Sequence, residues 1–304
     1  MKNPLNSILV YSLLVCYSCS EPALPITEDA TFVKGVNNGL IENESLNQAS
    51  GIIASRTNER ILWHHNDGTS PNKQLLFATD YNGKNVKQFV LNKYFNRDWE
   101  DIAIVGDQNE ATIYIGDIGD NSHVHSLKYI YTFKEPKIDP NAPNNVVIDK
   151  VEKIAFQYSD GIKYDSECLM VDQSTKDIYV ITKSDLLDPK STSNLFKIKY
   201  PQSTKQINTA EFVLTVPFST VTGGDISADN SEILIRTYLE VFYTKLRPNE
   251  SIKDSFRRNF SNLPYLFEPQ GEAICFEATP KPNYFTTSDS QVPKVPNLYF
   301  YKRN

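Results

Sequence analysis

The sequence contains few of the residues that would place it in several well-defined protein classes. Only four of its 304 residues are cysteines, and just Cys168 and Cys275 lie beyond the N-terminal leader, so no disulfide framework is expected. Both lie in apolar runs and are expected to be buried free thiols. Basic residues (31) are fewer than acidic ones (37), which argues against nucleic acid or anionic membrane surfaces as partners. From residue 31 to the end, no stretch of 12 or more residues has a helical period, which argues against a helical fold.

The first residues, MKNPLNSILVYSLLVCYSCSEP, have the pattern of a targeting segment. Lys2 precedes an apolar run from Ile8 to Val15 that is too short to span a bilayer, and small residues and cysteines follow it. The pattern resembles a bacterial lipoprotein signal, so we predict a signal segment at 1–19 with Cys19 acylated and a flexible tether at 20–29. The alternative is plain secretion without a lipid. Either way we expect an extracytoplasmic protein, and we expect it to be a monomer. Its only expected contact with a membrane is the lipid anchor.

A repeat runs through the remaining residues, 30–304, which we predict to be a single domain. Five segments share a small or acidic residue, any residue, and then Ile or Leu before an apolar alternation: ASGIIAS (49–55), WEDIAIV (99–105), SECLMVD (166–172), GGDISAD (223–229) and GEAICFE (271–277). A second and a third apolar run follow each segment, and a fourth leads into the next unit. This periodicity is typical of a β-propeller.

The repeat predicts an all-β fold, a five-bladed β-propeller of four-stranded blades. Spacings of 50, 67, 57 and 48 residues between equivalent positions suit such blades. The last unit has three runs, and the strand ATFVKGV (30–36) is expected to pair beside 297–303 and close the ring.

The first strand of each blade lines the central channel of a propeller, so equivalent positions on these strands form a ring. Aligning the five segments on their Ile or Leu predicts a ring of Ser50, Glu100, Glu167, Gly224 and Glu272. Carboxylates this close repel one another, so a protonated carboxyl, an Arg or Lys partner, or a cation must offset the repulsion. We predict Ca²⁺, which takes oxygen ligands, and disfavour Zn²⁺ because the ring has no Cys or His. The alternatives are a hydrated acidic channel, or glutamates paired with Arg236 and Lys183.

The ends of the second strands bring acids and bases to the same rim. Asp67, Asp117, Lys183 and Arg236 are the candidate catalytic residues among them. For each one a structural role, in a turn or a neutralising salt bridge, is the alternative.

Two resemblances add to this interpretation. HHNDG, DWEDIAIV, GDIGDN, TGGDISAD and QGEAICFE, in this order, look like a bacterial family of secreted propellers over about residues 45–301. More distantly, the ring resembles the calcium-activated nucleotidase (apyrase) family, a five-bladed propeller with a central calcium held by serine and glutamate. That pattern maps onto Ser50, Glu100, Glu167 and Glu272, with Gly224 where a serine is expected. The nucleotidases have arginines where this chain has Gly68, Thr182 and Lys183, which weakens phosphate binding.

Two functions follow as hypotheses. The first is a calcium-dependent hydrolase of a phosphorylated or other anionic small substrate, with Asp67 or Asp117 as general base and Lys183 and Arg236 holding substrate charge. The second is a non-enzymatic binding module with a structural calcium. Hydrolysis of a lactone or sugar rests on analogy with other calcium propellers alone.

Overall fold

Strands account for nearly all the regular structure, as the alternation of apolar and polar residues predicts. A computed structural model describes residues 30–68, 74–185, 191–289 and 295–304, so the predicted signal segment and tether lie outside the described residues. Over these ranges the one helix is α1 (Ile252–Ser255), capped by Ser251, whose side chain accepts from the Asp254 amide. In the same part of the chain, no helix has the length and apolar character needed to cross a membrane.

Most strands pair antiparallel with the next strand in the chain. In chain order they are β1 (Val36–Leu40), β2 (Ala49–Ala54), β3 (Ile61–Asn66), β4 (Leu75–Asp80), β5 (Asn85–Leu91), β6 (Trp99–Gly106), β7 (Ala111–Asp117), β8 (Lys128–Lys134), β9 (Val146–Ile148), β10 (Glu152–Tyr158), β11 (Ser166–Val171), β12 (Ile178–Thr182), β13 (Asn194–Ile198), β14 (Asn208–Thr215), β15 (Val221–Ile226), β16 (Glu232–Thr237), β17 (Val241–Lys245), β18 (Ser261–Leu263), β19 (Gly271–Phe276), β20 (Tyr284–Ser288) and β21 (Asn297–Tyr301).

The strands form four sheets, and only two of these have the predicted four strands. Those two have the orders β1-β21-β20-β19 and β15-β16-β17-β18. A five-stranded sheet has the order β2-β3-β4-β5-β9, and an eight-stranded sheet the order β11-β12-β13-β14-β10-β8-β7-β6. The additional pairings are parallel ones between outer strands, β5 with β9 and β10 with β14. Each covers a sheet edge that would otherwise leave backbone groups unpaired.

Five inner strands, β2, β6, β11, β15 and β19, form the centre of the molecule. Each contacts the next in chain order, and β19 contacts β2, so the five close into a ring. This closed arrangement makes the fold propeller-like. Two buried aspartates tie neighbours together: Asp101 Oδ2 accepts from the Leu169 amide (2.8 Å), and Asp225 Oδ2 accepts from the Phe276 amide (2.8 Å).

The apolar residue used to align the repeat is buried in every inner strand. Ile52, Ile102, Leu169, Ile226 and Ile274 are all at most 1% exposed. Burying a side chain of this size contributes about 1.5–3 kcal/mol, so each of these residues stabilises the packing of its inner strand.

The N-terminal segment does pair with the last strand, although later in the chain than the sequence predicts. β1 begins at Val36 and pairs antiparallel with β21, from Val36–Phe300 to Leu40–Asn297. Within the predicted 30–36 range, Phe32 forms a single bridge with Arg303. Gly35 lies against the ring of Tyr301, where a Cβ would come within 2.4 Å, so the chain passes too close there for a side chain.

Candidate functional site

Every inner strand has a β-bulge close to its beginning. In β6 the pairing passes from Trp99–Asp117 directly to Asp101–Gly116, which leaves Glu100 without an opposite residue on β7. A bulge redirects the side chain of the unpaired residue. The five residues at these bulge positions are Ser50, Glu100, Glu167, Thr222 and Glu272.

The bulges correct one member of the predicted ring. In β15 the register shift falls between Val221 and Gly223, so Thr222 occupies the position assigned to Gly224 from the sequence. Gly224 instead lies inside the molecule, where its amide donates to Asp101 Oδ2 (3.3 Å) and a Cβ would lie 2.8 Å from Cys168 Sγ. The sequence alignment was wrong by two residues here because it used Ile226 as the reference and had no information about the bulge.

The two hydroxyls at the bulge positions make similar contacts with the next inner strand. Ser50 Oγ donates to the Glu100 carbonyl (2.6 Å) and lies 3.3 Å from Glu100 Oε2. Thr222 Oγ1 donates to the Gly271 carbonyl (2.9 Å). Thr222 therefore supplies the hydroxyl that the alignment with Gly224 lacked.

Carboxylates converge at this end of the ring, which we call the mouth. One oxygen each from Glu100, Asp165 and Glu167 lies within 4.8 Å of the other two, and all three residues are buried. We call these residues, together with Asp98 and Glu272, the acidic cluster. Gly119 lies over it, so close that a Cβ there would be 2.1 Å from Glu100 Oε1 and 2.5 Å from Asp98 Oδ2. A glycine at this position lets the backbone approach both carboxylates.

Burial and mutual repulsion make the ionised cluster unfavourable. Burial, followed by the charges of Glu167 and Asp98, raises the pKa of Glu100 well above its usual value. Burial and the charge of Glu167 do the same for Glu272. Burial raises the pKa of Glu167 to about 7 although Lys183 opposes the shift, and burial with Asp165 raises the pKa of Asp98 to about 6. A nearby cation would reverse these shifts.

The acidic cluster fits a hard divalent cation. Its donors are all oxygens, with no His or Cys, which suits Ca²⁺ better than Zn²⁺. Ligands on opposite sides of Ca²⁺, each roughly 2.4 Å away, are about 5 Å apart, so three oxygens that lie within 4.8 Å of one another can all reach one ion. Glu272 Oε2 is also buried without a hydrogen-bond partner among the described residues.

Two of the four candidate catalytic residues lie at the mouth. Asp67 is half-buried there, and its charge acts on both Asp98 and Glu272. Lys183 contacts Glu167 Oε1 and lies over the ring of Tyr238, 4.9 Å from the ring centroid.

Asp117 and Arg236, the other two, belong to buried structural networks. Asp117 accepts from the Asp98 amide (3.0 Å) and from the Tyr131 hydroxyl (3.1 Å). Arg236 is fully buried and pairs with Glu268 (2.7 Å) while donating to main-chain carbonyls of β19 and β20. Both contact patterns fit the structural alternative for these residues.

A cleft of about 560 Å³ adjoins the acidic cluster. Asp165 and Lys183 form part of its wall, and Tyr164, Tyr238 and Ile162 supply the larger apolar surfaces. The cleft has a volume suited to a small molecule.

The sequence interpretation missed Asp165, Thr222 and Tyr238. Asp165 stands directly before the SECLMVD segment, so the pair of acids in "DSE" was the signal available for it. Thr222 stands directly before the GGDISAD segment. No comparable signal marks Tyr238, which follows β16 as Lys183 follows β12.

Comparisons with known proteins give no family for this chain. No protein-family model and no curated protein matches it. Among solved structures, a luciferin-regenerating enzyme is similar at a TM-score of 0.42 and 12% identity, covering 88% of this chain and 95% of the other. A nidogen/laminin complex has a TM-score of 0.42 and 10% identity, covering 79% of this chain and 72% of the other. Hydrazine synthase of Kuenenia stuttgartiensis has a TM-score of 0.40 and 10% identity, covering 84% of each chain. Similarities with TM-scores below 0.5 carry no conclusion about activity.

Proposed function

We propose that the protein is an extracytoplasmic calcium-binding β-propeller whose ion is held at the mouth by Glu100, Asp165 and Glu167. The observation that carries this proposal is the convergence of three buried carboxylate oxygens within 4.8 Å of one another. Carboxylates buried this close together stay ionised only beside a compensating charge, and an all-oxygen donor set favours a hard cation.

The proposal includes a finer description of the fold, a five-bladed propeller. The eight-stranded sheet divides at its parallel junction, where only three residue pairs join β10 to β14. On either side lie the antiparallel groups β6-β7-β8-β10 and β11-β12-β13-β14, each beginning with one inner strand. Treating these groups as two blades gives five blades, one for each inner strand.

Neighbouring oxygens would complete the ligand shell. Glu272 Oε2 is the first candidate, because it is buried without a partner among the described residues and its pKa responds to Glu167. The hydroxyls of Ser50 and Thr222 are further candidates at equivalent bulge positions. A bound calcium supplies the positive charge that these carboxylates need to remain ionised.

Binding without catalysis is the role that the charges favour. The predicted anion-binding residues are both occupied, Arg236 by Glu268 and Lys183 by Glu167. With a dication bound, the negative charge of the five ionised carboxylates in the acidic cluster would still exceed the positive charge of the dication and Lys183. An anionic substrate would therefore be repelled from this mouth.

Hydrolysis stays a second candidate because of the cleft beside Asp165. In that case a bound calcium would supply Lewis acidity, and the cleft would hold the substrate. Asp67, half-buried at the mouth, would be the proton acceptor.

Calcium titration of metal-free protein tests the main proposal. Ion content must be measured in the same sample, because an enclosed ion exchanges slowly. We expect one calcium per chain and a rise in melting temperature, since ligand at a hundredfold excess over Kd stabilises by about 2.7 kcal/mol. Glu167→Gln should weaken binding, whereas Glu211→Gln, which alters an exposed residue of β14, should not. A protein that is verifiably metal-free and takes up no calcium would overturn the proposal.

A substrate panel separates the two candidate functions. The calcium-loaded protein is incubated with phosphate monoesters, phosphate diesters, nucleotides and lactones, and product is measured. The binding module predicts no turnover above that of Asp67→Asn and Glu167→Gln. Turnover that both variants abolish would establish the hydrolase.

A further inference from the structure

The acidic cluster already contains a cation of its own, the ammonium of Lys183. Its Nζ contacts Glu167 Oε1, and Tyr238 lies beneath it with its ring centroid at 4.9 Å. The Lys183 amide donates to the Asp165 carbonyl (2.9 Å), which fixes the backbone from which the side chain extends. The side chain is only 16% exposed, so this is not a surface ion pair of little consequence.

Glu167 is thus shared between Lys183 and the proposed ion. Its carboxylate provides one of the three convergent oxygens and is also the partner of the ammonium. A dication and an ammonium a few ångströms apart repel each other strongly in a buried site. Lys128, a second buried lysine near the mouth, forms its ion pair with Asp120 (3.0 Å), which lies outside the acidic cluster, although its charge also acts on Asp98.

We infer that Lys183 is a built-in competitor that sets the affinity of the cation site. The inference rests on the proposed function, because it concerns the same carboxylates. In the absence of calcium, Lys183 neutralises part of the acidic cluster and stabilises the fold. A dication binds only by displacing or repelling this ammonium, so the affinity is lower than the carboxylates alone would provide. The residue at position 183 therefore determines the calcium concentration at which the site fills.

Replacing Lys183 tests this directly. Lys183→Met keeps an unbranched apolar stem, one atom shorter, and removes the charge, whereas Lys183→Arg keeps the charge. Lys197→Met is the matched control, because Lys197 pairs with Asp177 (3.2 Å) on another part of the molecule. Calcium affinity is measured by isothermal titration on metal-free protein, and folding is checked by melting temperature. If Lys183→Met does not fold, Lys183→Gln, which can still donate to Glu167, replaces it.

We expect Lys183→Met to bind calcium roughly tenfold tighter or more, because one repulsive charge is removed from a buried site. Lys183→Arg should stay near the wild-type affinity, and Lys197→Met should equal it. The metal-free Lys183→Met protein should also melt at a lower temperature than the wild type.

The outcomes separate the inference from the proposed function. Equal or weaker calcium binding by Lys183→Met than by the wild type overturns the inference and leaves the proposed function standing. If Lys183→Met binds calcium and the wild type does not, the inference is supported. The proposed function is then overturned for the natural protein, in which Lys183 would replace the ion. Absence of binding in both proteins overturns both.

Discussion

The Ser50 hydroxyl donates a 2.6 Å hydrogen bond to the main-chain carbonyl of Glu100. This bond joins two inner strands at the point where both have a bulge. It therefore orders the backbone that presents Glu100, besides bringing a hydroxyl oxygen to the acidic cluster. Thr222 in β15 makes a comparable bond to the Gly271 carbonyl in β19, the next inner strand.

Thr222 distinguishes the structural assignment of the ring from the sequence alignment. Thr222→Val leaves the buried Gly271 carbonyl without its donor and should cost about 1–3 kcal/mol, whereas Thr222→Ser should cost much less. If the hydroxyl is also a ligand, Thr222→Val should reduce the calcium-induced rise in melting temperature.

Gly224→Ala is the matched comparison for Thr222. It should destabilise the fold, because the added Cβ would lie 2.8 Å from Cys168 Sγ and 3.0 Å from the Leu234 carbonyl. The calcium-induced rise in melting temperature of Gly224→Ala should equal that of the wild type. A selective loss of calcium binding in Gly224→Ala would favour the original alignment.

Asp225 should make stability fall as the pH rises from about 4 to 7. Burial raises its pKa from 3.8 to about 7 in the folded protein, although Arg56 opposes the shift. The folded state therefore binds this proton more tightly than the unfolded state, and its stabilising contribution is lost through that window. Each pH unit corresponds to about 1.4 kcal/mol for a fully shifted group.

Urea unfolding at pH 5, 6, 7 and 8 measures this effect. Asp225→Asn does not titrate, so its stability relative to the wild type should increase with pH, by a few kcal/mol in total, and level off above pH 7. Asp107→Asn, at an exposed residue, should follow the wild type at every pH. A constant difference between Asp225→Asn and the wild type would show that Asp225 stays ionised throughout.

Replacing Arg236 should lower the stability of the fold without changing its calcium affinity. Arg236→Met leaves the buried Glu268 carboxylate without its partner (2.7 Å in the wild type), which should cost about 3–5 kcal/mol. Adding Glu268→Gln should recover part of the loss, since a neutral amide is cheaper to bury. Calcium affinity of the folded fraction should be unchanged, and a selective loss of affinity would return Arg236 to the site.

The acylation site at the N terminus is testable independently of the fold. Metabolic labelling with a fatty acid in a bacterial host should mark the protein, and Cys19→Ala should abolish the label. Cys16→Ala should retain it. Loss of label in Cys16→Ala alone would identify the other cysteine as the acylated one.

The sequence by itself determined the repeat and four of the five equivalent bulge positions, because both depend on local patterns. Each segment has a buried Ile or Leu, and counting back two residues from it reaches the bulge position in four inner strands, at Ser50, Glu100, Glu167 and Glu272. The same count failed in β15, where the bulge lies two residues earlier than the aligned Gly224.

Only the tertiary structure decided which charges meet. Asp165 joins Glu100 and Glu167 because the loop before β11 reaches the mouth, whereas Arg236 is directed to Glu268 in the connection before β19. The parallel pairing of β10 with β14 likewise merges two four-stranded groups into one sheet. These features depend on contacts between residues far apart in the chain, and the energy of a buried charge depends on the partner it finds, which no local pattern specifies.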